Sequence, residues 1–224
     1  MISVIIPALN EQAYMRTCID AIRQDDDTCE IIVADGGSTD RTVEIAENLQ
    51  GVKVLRTAGG RGLQMNAGAS IAAGETLLFL HADTLLQRGW SRAIELALQD
   101  KSVAGGAFTF AVDSPMKKYR AVEQWVKFRC FLFKLPYGDQ GIFVRNSVFK
   151  EIEGYRNIPL MEDVDLVERL REQGRIKVLD TIAFTSERRW RDKGLFYTAV
   201  INQLIMLLYR LGISPQMLAK IYYR

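Results

Sequence analysis

The chain has few of the features that indicate a disulfide-bonded, nucleic-acid-binding or secreted protein. Its three cysteines are an odd number without paired spacing, which favours a reducing compartment over a disulfide scaffold. The net charge of +2 is too small to indicate nucleic acid as the main partner. No basic segment followed by an apolar stretch and a cleavage site precedes the first strand-like residues, so the sequence predicts a cytoplasmic protein.

One uncharged, mostly apolar stretch lies between Lys193 and Arg210. It is shorter than the roughly 20 residues that a membrane-spanning helix needs, and Asn202 and Gln203 interrupt it. Three alternatives stay open for residues 195–211. The segment is a helix buried on the domain or in a homodimer contact, a peripheral membrane contact, or a membrane span.

Strand-like and helix-like stretches alternate along the first half of the chain. Strands are predicted at residues 2–7, 30–34, 52–56 and 76–80, with helices at 12–24, 40–49 and 62–73. This alternation predicts an α/β fold with parallel strands, right-handed crossovers and helices on both faces of the sheet. The second half is less regular, with strands predicted at 104–112, 141–144 and 176–184 and helices at 116–135 and 164–173. Because no linker separates the halves, they are expected to share one sheet.

Three polar clusters follow predicted strands. Ligands bind beyond the carboxyl ends of parallel strands, so Asn10-Glu11, Asp35-Gly36-Gly37 and His81-Ala82-Asp83 are expected along one edge of the sheet. Asp83 is the metal candidate, since Mg²⁺ takes one or two carboxylates plus phosphate oxygens, and a nearby imidazole would favour Mn²⁺. His81 is the only histidine, and a structural, hydrogen-bonded role is favoured for it over metal ligation.

Two glycine-containing segments are typical of nucleotide or phosphate contacts. The Asp35 carboxylate can accept from a nucleobase N–H or a ribose hydroxyl, or it merely satisfies backbone donors in a strand-to-helix turn. Arg61 lies in the glycine-rich segment 59–68, where it can bind phosphate oxygens or remain a solvated loop residue. The dinucleotide fingerprint G-x-G-x-x-G is absent from the turn after the first strand. Residues 59–68 are not a P-loop, because they lack its Lys-Ser/Thr ending.

Three further segments carry charge. Residues 162–165 place three acids before a predicted helix, where the macrodipole favours them and where one carboxylate can serve as a general base. Residues 186–190 can clamp phosphate, close as a lid or form a solvated basic turn. The basic, aromatic run 117–134 is typical of an acceptor pocket, an anionic-lipid surface or an amphipathic helix packed on the sheet.

The ordered set of motifs resembles family 2 glycosyltransferases of the GT-A fold across residues 1 to about 190. The matching pieces are residues 4–11, 35–40, 66–68, 73–75, 79–83 and 162–163. The resemblance implies a metal-dependent, inverting transfer of a sugar from a nucleoside diphosphate sugar, with a UDP-sugar favoured, to an acceptor hydroxyl. It also implies one domain over residues 1–224, with a single mixed, mostly parallel sheet flanked by helices and an apolar helix near the C-terminus. Residues 1–112 would bind the nucleotide sugar, 113–190 would form the acceptor side, and 191–224 would form a helical tail.

The family's motifs give individual residues expected roles. Asp83 matches the last acid of the D-x-D motif and would hold Mg²⁺ or Mn²⁺, which stabilises the departing diphosphate. Asp163 matches the catalytic base of the Glu-Asp motif, next to Glu162. The expected nucleotide-sugar contacts are Pro7, Ala8, Asn10, Glu11, Asp35, Gly36, Arg61, Gln64, His81, Ala82, Asp83, Arg188, Arg189 and Trp190. The acceptor side is expected at Gly138, Asp139 and Gln140.

Three positions depart from the family's pattern. His81 stands where the family more often has Asp, and Gly36 stands where many relatives have a second Asp. Met65 replaces a frequent Arg, whose phosphate role Arg61 would take over.

Residues 138–141, 188–190 and 214–215 resemble a narrower subgroup associated with radical-SAM partners and arsenosugar biosynthesis. Two other functions stay open, a sugar-phosphate nucleotidyltransferase and a non-catalytic nucleotide-binding protein of the same fold.

Overall fold

The computed structural model describes residues 1–133 and 135–223, so Lys134 of the basic run lies outside the described residues. Its strands are β1 (Ile2–Ala8), β2 (Glu30–Asp35), β3 (Val52–Arg56), β4 (Thr76–Phe79), β5 (Thr84–Leu86), β6 (Val103–Asp113), β7 (Ile142–Arg145) and β8 (Arg175–Ser186). They form one sheet in the order β3-β2-β1-β4-β7-β6-β8-β5. Strands β7 and β5 run against their neighbours and the others share one direction. The predicted mixed, mostly parallel α/β sheet is confirmed.

Helices cover both faces of this sheet. They are α1 (Met15–Arg23), α2 (Thr42–Glu47), α3 (Arg61–Ile71), α4 (Trp90–Gln99), α5 (Lys118–Phe133), α6 (Asn146–Glu151), α7 (Glu162–Gln173), α8 (Arg188–Lys193), α9 (Leu195–Arg210) and α10 (Pro215–Tyr222). In α1 the buried residues Met15, Cys18, Ile19 and Ile22 follow the spacing of one helical stripe. That stripe is why this segment folds as a helix against the sheet.

Strand β1 shows how the sheet divides the core. All seven of its residues are buried, as expected for a central strand that helices cover on both sides. Val4 and Ile6 belong to the core under α1, whereas Ile5 belongs to the core under α3 and α7. Full burial of each such side chain contributes about 1.5–3 kcal/mol, so the parallel half of the sheet is firmly fixed. The polar loops that follow its strands are fixed with it.

One helix prediction needs correction. Helix α7 begins at Glu162, not at Val164, because Met161 takes a left-handed backbone conformation, with φ of 68°, at the N-cap. Both Glu162 and Asp163 therefore lie in the first helical turn, where the helix macrodipole favours acidic side chains. The expected apolar helix near the C-terminus is α9, and a further helix follows it, because the chain turns after α9 and Ser214 caps α10 by accepting from the Met217 N–H.

Helix α9 is half buried. It packs Ile205 and Met206 into the core under α7 and leaves Phe196 and Leu207 exposed on its other side. Within residues 1–133 and 135–223, no helix combines the length and the apolar character that a membrane crossing requires.

Candidate active site

The ends of β1 and β4 border a cleft of about 660 Å³. Its walls also come from the first turn of α7, from residues 185–193 and from the C-terminal helices. The predicted site residues that line it are Pro7, Ala8, Glu11, Arg61, Gln64, His81, Ala82, Asp83, Asp139, Glu162, Asp163, Arg188, Arg189 and Trp190. Asn10, Asp35, Gly36, Gly138 and Gln140 are not part of this lining. Asp83 and Asp163, which are distant in the sequence, thus share one cleft.

Arg188 links two acids at one side of the cleft. Its Nη2 donates to Glu11 Oε1 at 2.8 Å and lies 3.4 Å from Asp83 Oδ2. The second oxygen of Glu11, Oε2, is buried and has no hydrogen-bond partner among the described residues. Burial raises the pKa of Glu11, although the bond from Arg188 opposes the rise. Two carboxylates therefore converge on one cationic position, and part of the Glu11 carboxylate remains available to another donor.

Asp163 is held in a fixed orientation at the start of α7. The Gly138 N–H donates to its Oδ2 at 2.7 Å, and the Val164 N–H donates to its Oδ1 at 2.8 Å. A Cβ atom added to Gly138 would lie 3.3 Å from both Asp163 Oδ2 and His81 Nε2, so these two side chains face the same glycine. Burial and the nearby charge of Arg61 lower the pKa of His81 to about 4, which leaves the imidazole neutral at neutral pH.

Glu162 forms an ion pair across the cleft wall. Its Oε1 lies 2.9 Å from Arg61 Nε, and its side chain is only 5% exposed. Burial raises the pKa of Glu162, and the charge of Arg61 partly offsets that rise. Arg61 is therefore not an isolated solvated residue, because the neighbour of Asp163 holds its guanidinium at the cleft.

Asp35 borders a separate hollow of about 560 Å³. Its Oδ2 accepts from the Gly37 and Ser38 N–H groups, both at 3.0 Å, as the strand-to-helix turn alternative predicts. Its Oδ1 is buried and has no hydrogen-bond partner within the part of the chain that the structure describes. A buried oxygen without a donor is uncommon in native proteins, so this atom can accept from a ligand.

Gln64 and Asn10 stabilise the loops beside the cleft. Gln64 Nε2 donates to the carbonyl oxygens of Ala8 and Ala34, both at 2.8 Å, and so ties the ends of β1 and β2 together. Asn10 Oδ1 accepts from the Thr39 N–H at 2.9 Å. The amide of Gln64 is thus used within the protein, and Asn10 connects two loops.

The predicted acceptor side is a short 3-10 turn, Gly138–Gln140. Asp139 lines the cleft, and burial raises the pKa of its carboxyl group. Its Oδ1 is buried and accepts no hydrogen bond from residues 1–133 or 135–223. Gln140 is 1% exposed, and its side chain bonds to the carbonyl of Phe108 and to Arg129 Nη2. Gln140 therefore connects the turn to the interior of the protein, whereas Asp139 faces the cleft.

Comparison with known proteins identifies the family. Residues 3–151, about two thirds of the 224-residue chain, match the model of glycosyl transferase family 2. The chain belongs to this family. A PGL/p-HBAD biosynthesis glycosyltransferase of Mycobacterium tuberculosis is 41% identical over 93 residues, which cover 38% of this chain and 36% of that protein. The uncharacterized glycosyltransferase YibD of Escherichia coli is 40% identical over 88 residues, covering 37% and 26% respectively.

Two solved structures share the fold of this family 2 member. Staphylococcal TarS 1–349 (S. aureus) in complex with UDP-GlcNAc matches with a TM-score of 0.63 and 18% identity, covering 83% of this chain and 58% of that chain. The mannosyltransferase PcManGT from Pyrobaculum calidifontis, in complex with GDP-Man and Mn2+, matches with a TM-score of 0.58 and 17% identity, covering 81% and 56%. The likeness shows the GT-A fold. The chain spans about a third of the length of the Mycobacterium relative and somewhat more than half of each solved chain.

The residues around Asp83 fit a divalent cation that also takes phosphate oxygens. Among the residues that the structure describes, no three His, Cys, Asp or Glu side chains cluster into a protein-only metal cage. Mg²⁺ usually has no such cage, because it keeps waters and takes one or two carboxylates plus substrate phosphates. Asp83, with a side chain 21% exposed, can supply one such carboxylate.

The C-terminal helices also contribute to the cleft, which was not predicted from the sequence. Tyr222 and Tyr223 line the cleft, as does Asn202 on α9. Asn202 Oδ1 accepts from Arg189 Nη2 at 3.3 Å and from the Tyr222 hydroxyl at 3.4 Å, and the Arg189 guanidinium lies 5.0 Å from the centre of the Tyr222 ring. The polar interruption at residues 202–203 was the available signal, since a partly buried amide within an apolar helix is usually hydrogen-bonded.

Proposed function

We propose that the chain is an inverting glycosyltransferase that moves a sugar from a nucleoside diphosphate sugar to an acceptor hydroxyl. The observation that carries the proposal is that Asp83 and Asp163 line one cleft together with Arg61, Arg188 and Arg189. Membership of family 2 supports sugar transfer as the reaction class. The fold neighbours in complex with UDP-GlcNAc and GDP-Man support a nucleotide sugar as the donor, and a UDP-sugar is our first choice.

The donor would lie between the cationic residues and the end of β2. Guanidinium groups bind phosphate oxygens through paired N–H donors, so Arg188, Arg189 and Arg61 would hold the diphosphate. The unpartnered Oδ1 of Asp35 would accept from the nucleobase or the ribose. Asp83 would hold Mg²⁺ or Mn²⁺ together with the phosphate oxygens, and the ion would supply charge stabilisation for the departing diphosphate. The Mn2+ complex of PcManGT supports this choice of ion.

Asp163 would act as the general base. The N–H groups of Gly138 and Val164 orient its carboxylate, and each oxygen keeps a lone pair for the acceptor. The acceptor hydroxyl would pass its proton to Asp163 as its oxygen attacks the anomeric carbon, and the bond to the diphosphate would break on the opposite face. Attack from that side inverts the configuration. Asp139, which faces the same cleft, would help to position the acceptor.

Several narrower predictions remain part of the proposal. Residues 1–224 would work as one domain, divided at about residues 112 and 190 as the family resemblance implies. The resemblance of residues 138–141, 188–190 and 214–215 to the radical-SAM-associated, arsenosugar subgroup stays a prediction, and so does the cytoplasmic location.

A donor panel tests the proposal. UDP-, GDP- and dTDP-sugars, with and without Mn²⁺, are compared by thermal unfolding and by release of the nucleoside diphosphate. At about 100 times its Kd, a matching donor should raise the melting temperature by roughly 5–10 °C. Asp83→Asn should remove the Mn²⁺-dependent part of this rise. Asp180→Asn, which changes an exposed acid on β8 outside the cleft, should keep it.

The products separate the competing functions. Release of a nucleoside diphosphate from one donor supports sugar transfer. Release of pyrophosphate from a nucleoside triphosphate would instead assign a nucleotidyltransferase. Donor binding without release of product, in the presence of a broad set of alcohols, would overturn catalysis and favour a nucleotide-binding protein.

A further inference from the structure

Helix α5 exposes aromatic side chains that no part of the site uses. Trp125, Phe128 and Phe131 are 49%, 53% and 72% exposed. They follow one another at intervals of three residues, so they lie on one side of the helix. Single exposed apolar residues are ordinary, but a row of large aromatic ones marks a surface that contacts something other than water.

Exposed positive charge flanks these aromatic side chains, on α5 and at the residue before it. Lys117, Lys118 and Lys127 are exposed, and the only acid in residues 114–134 is Glu123. Glu123 is turned inward, because its Oε1 accepts from the Val112 N–H at 2.9 Å and its side chain is 12% exposed. The described residues of this surface therefore combine exposed cations with exposed aromatic rings. We call Lys117, Lys118, Trp125, Lys127, Phe128 and Phe131 the basic aromatic face.

The inner side of α5 is already packed. Tyr119, Val126 and Cys130 form a core cluster with Trp190, and Leu195 packs against it. The helix is therefore fixed on the protein before any partner arrives. It also adjoins the acceptor side of the cleft, since the Arg129 guanidinium lies 3.4 Å from the centre of the Tyr137 ring and Tyr137 lines the cleft.

We propose that the basic aromatic face docks on the surface of an anionic lipid bilayer. Trp and other amphipathic or aromatic side chains are favoured at the level of the lipid headgroups, and lysines are attracted to anionic lipids. A helix with aromatic residues flanked by lysines lies in this interface and does not cross it. A second copy of the chain fits less well, because a symmetric contact would bring lysines against lysines. The exposed apolar face of α9 does not support a docking proposal, because nothing in the structure indicates which partner would cover it.

Vesicle binding by the full chain tests the docking proposal, and it requires no sugar transfer. We expect the chain to co-sediment with phosphatidylcholine vesicles that contain phosphatidylglycerol and to bind much more weakly to phosphatidylcholine alone. Each basic residue near an anionic surface contributes roughly five-fold in affinity, so the triple variant Lys117→Gln, Lys118→Gln, Lys127→Gln should bind about a hundred-fold more weakly. The matched control, Arg16→Gln, Arg88→Gln, Lys101→Gln, removes the same charge from exposed positions on other elements and should lose little.

Tryptophan fluorescence reports directly on α5. Of the three tryptophans, Trp90 and Trp190 are 0% and 8% exposed, so Trp125 dominates the response to the bilayer. Docking should shift its emission to the blue and allow quenching by brominated acyl chains. Trp125→Ser should remove both signals, and circular dichroism checks that the variant is folded.

Three results would overturn the inference. The first is equal binding to neutral and anionic vesicles, and the second is an equal loss in the two triple variants. The third is the absence of a fluorescence change when the chain sediments with anionic vesicles. Self-association that Phe128→Ser abolishes, measured by sedimentation velocity without lipid, would assign the face to a homodimer instead.

Discussion

Asp163→Asn should distinguish the proposed role of Asp163 in proton transfer from its role in stabilising the first turn of α7. Each oxygen of Asp163 accepts one backbone N–H, from Gly138 at 2.7 Å and from Val164 at 2.8 Å. An asparagine keeps one acceptor oxygen and presents an NH₂ group to the other donor. Hydrogen bonds to charged groups contribute about 1.5–3 kcal/mol, so the free energy of unfolding should fall by about 2 kcal/mol.

Turnover should fall much further than stability. A positioned general base contributes roughly 10²–10⁴-fold, or about 3–5 kcal/mol of the activation barrier. The affinity for the nucleoside diphosphate should change less than about three-fold, because the proposed diphosphate contacts are the arginines and the metal ion that Asp83 would hold. A large loss in kcat with nearly unchanged donor binding is therefore the expected pattern.

Asp165→Asn is the matched control on the same helix. Asp165 is 6% exposed and is not part of the cleft lining. Its oxygens lie 2.9 Å from Arg156 Nη1 and 2.7 Å from Arg169 Nη2. Breaking a buried pair costs about 3–5 kcal/mol, so this variant should lose more stability than Asp163→Asn. It should nevertheless keep its turnover within about three-fold of the wild type.

Urea unfolding, calorimetric titration with the nucleoside diphosphate and release of that product from the donor measure the three quantities. Water serves as the acceptor until the natural alcohol is known. If Asp163→Asn keeps more than about a tenth of the turnover, the base assignment is wrong. Equal losses of turnover in the two variants would show that stability, and not proton transfer, determines the effect.

Three further variants test packing and charge. Gly138→Ala adds a Cβ 3.3 Å from Asp163 Oδ2 and His81 Nε2, so the rate of nucleoside diphosphate release should fall about ten-fold. Circular dichroism should stay native, and an unchanged rate would contradict the close contact at Gly138. Gly106→Ala places a methyl group against the Lys177 carbonyl oxygen and the Phe143 ring, and urea unfolding should show a loss of about 3 kcal/mol or more, whereas a loss below about 1 kcal/mol would refute the overlap. Partial burial tends to raise the pKa of Glu30, but hydrogen bonds from Lys53, Ser3 and Ala73 lower it below 4.5. The ionised Glu30 therefore stabilises the fold above pH 4.5, and this stabilisation is lost as the pH falls through the lowered pKa. Glu30→Gln should therefore cost about 2 kcal/mol near pH 7 and progressively less as the pH falls below 4.5, and a constant difference would count against this reasoning.

The parallel half of the fold could be predicted because its central strands are buried on both sides. Such strands appear in the sequence as short continuous apolar runs, and β1, which is buried throughout, occupies residues 2–8 where 2–7 were predicted. The clusters after β1 and β4 then follow from topology, since parallel strands end at the same edge. Glu11 and Asp83 were therefore expected near each other, and Arg188 now bridges them.

The other elements depend on contacts that the sequence pattern does not report. Helix α4 and strand β5 were not predicted, and β5 is only three residues long. Arg188 meets Glu11 across 177 positions of the chain, and such a pair has no local signature. Tyr222 and Tyr223 reach the cleft because α10 folds back along α9, which a run of apolar residues cannot indicate.

The charges of the cleft explain why a metal ion belongs in the proposal. Arg188 is the shared partner of Glu11 and Asp83, so a diphosphate that binds Arg188 competes with both carboxylates. Two carboxylates beside a polyanion repel it at short range unless further positive charge joins them. A divalent cation at Asp83 removes this repulsion, so the nucleoside diphosphate and Mn²⁺ should each raise the other's affinity by the same factor, about 5–150-fold. Calorimetric titration of Mn²⁺ with and without the nucleoside diphosphate measures that factor. Independent binding of the two ligands would show that the arginines alone balance the donor's charge.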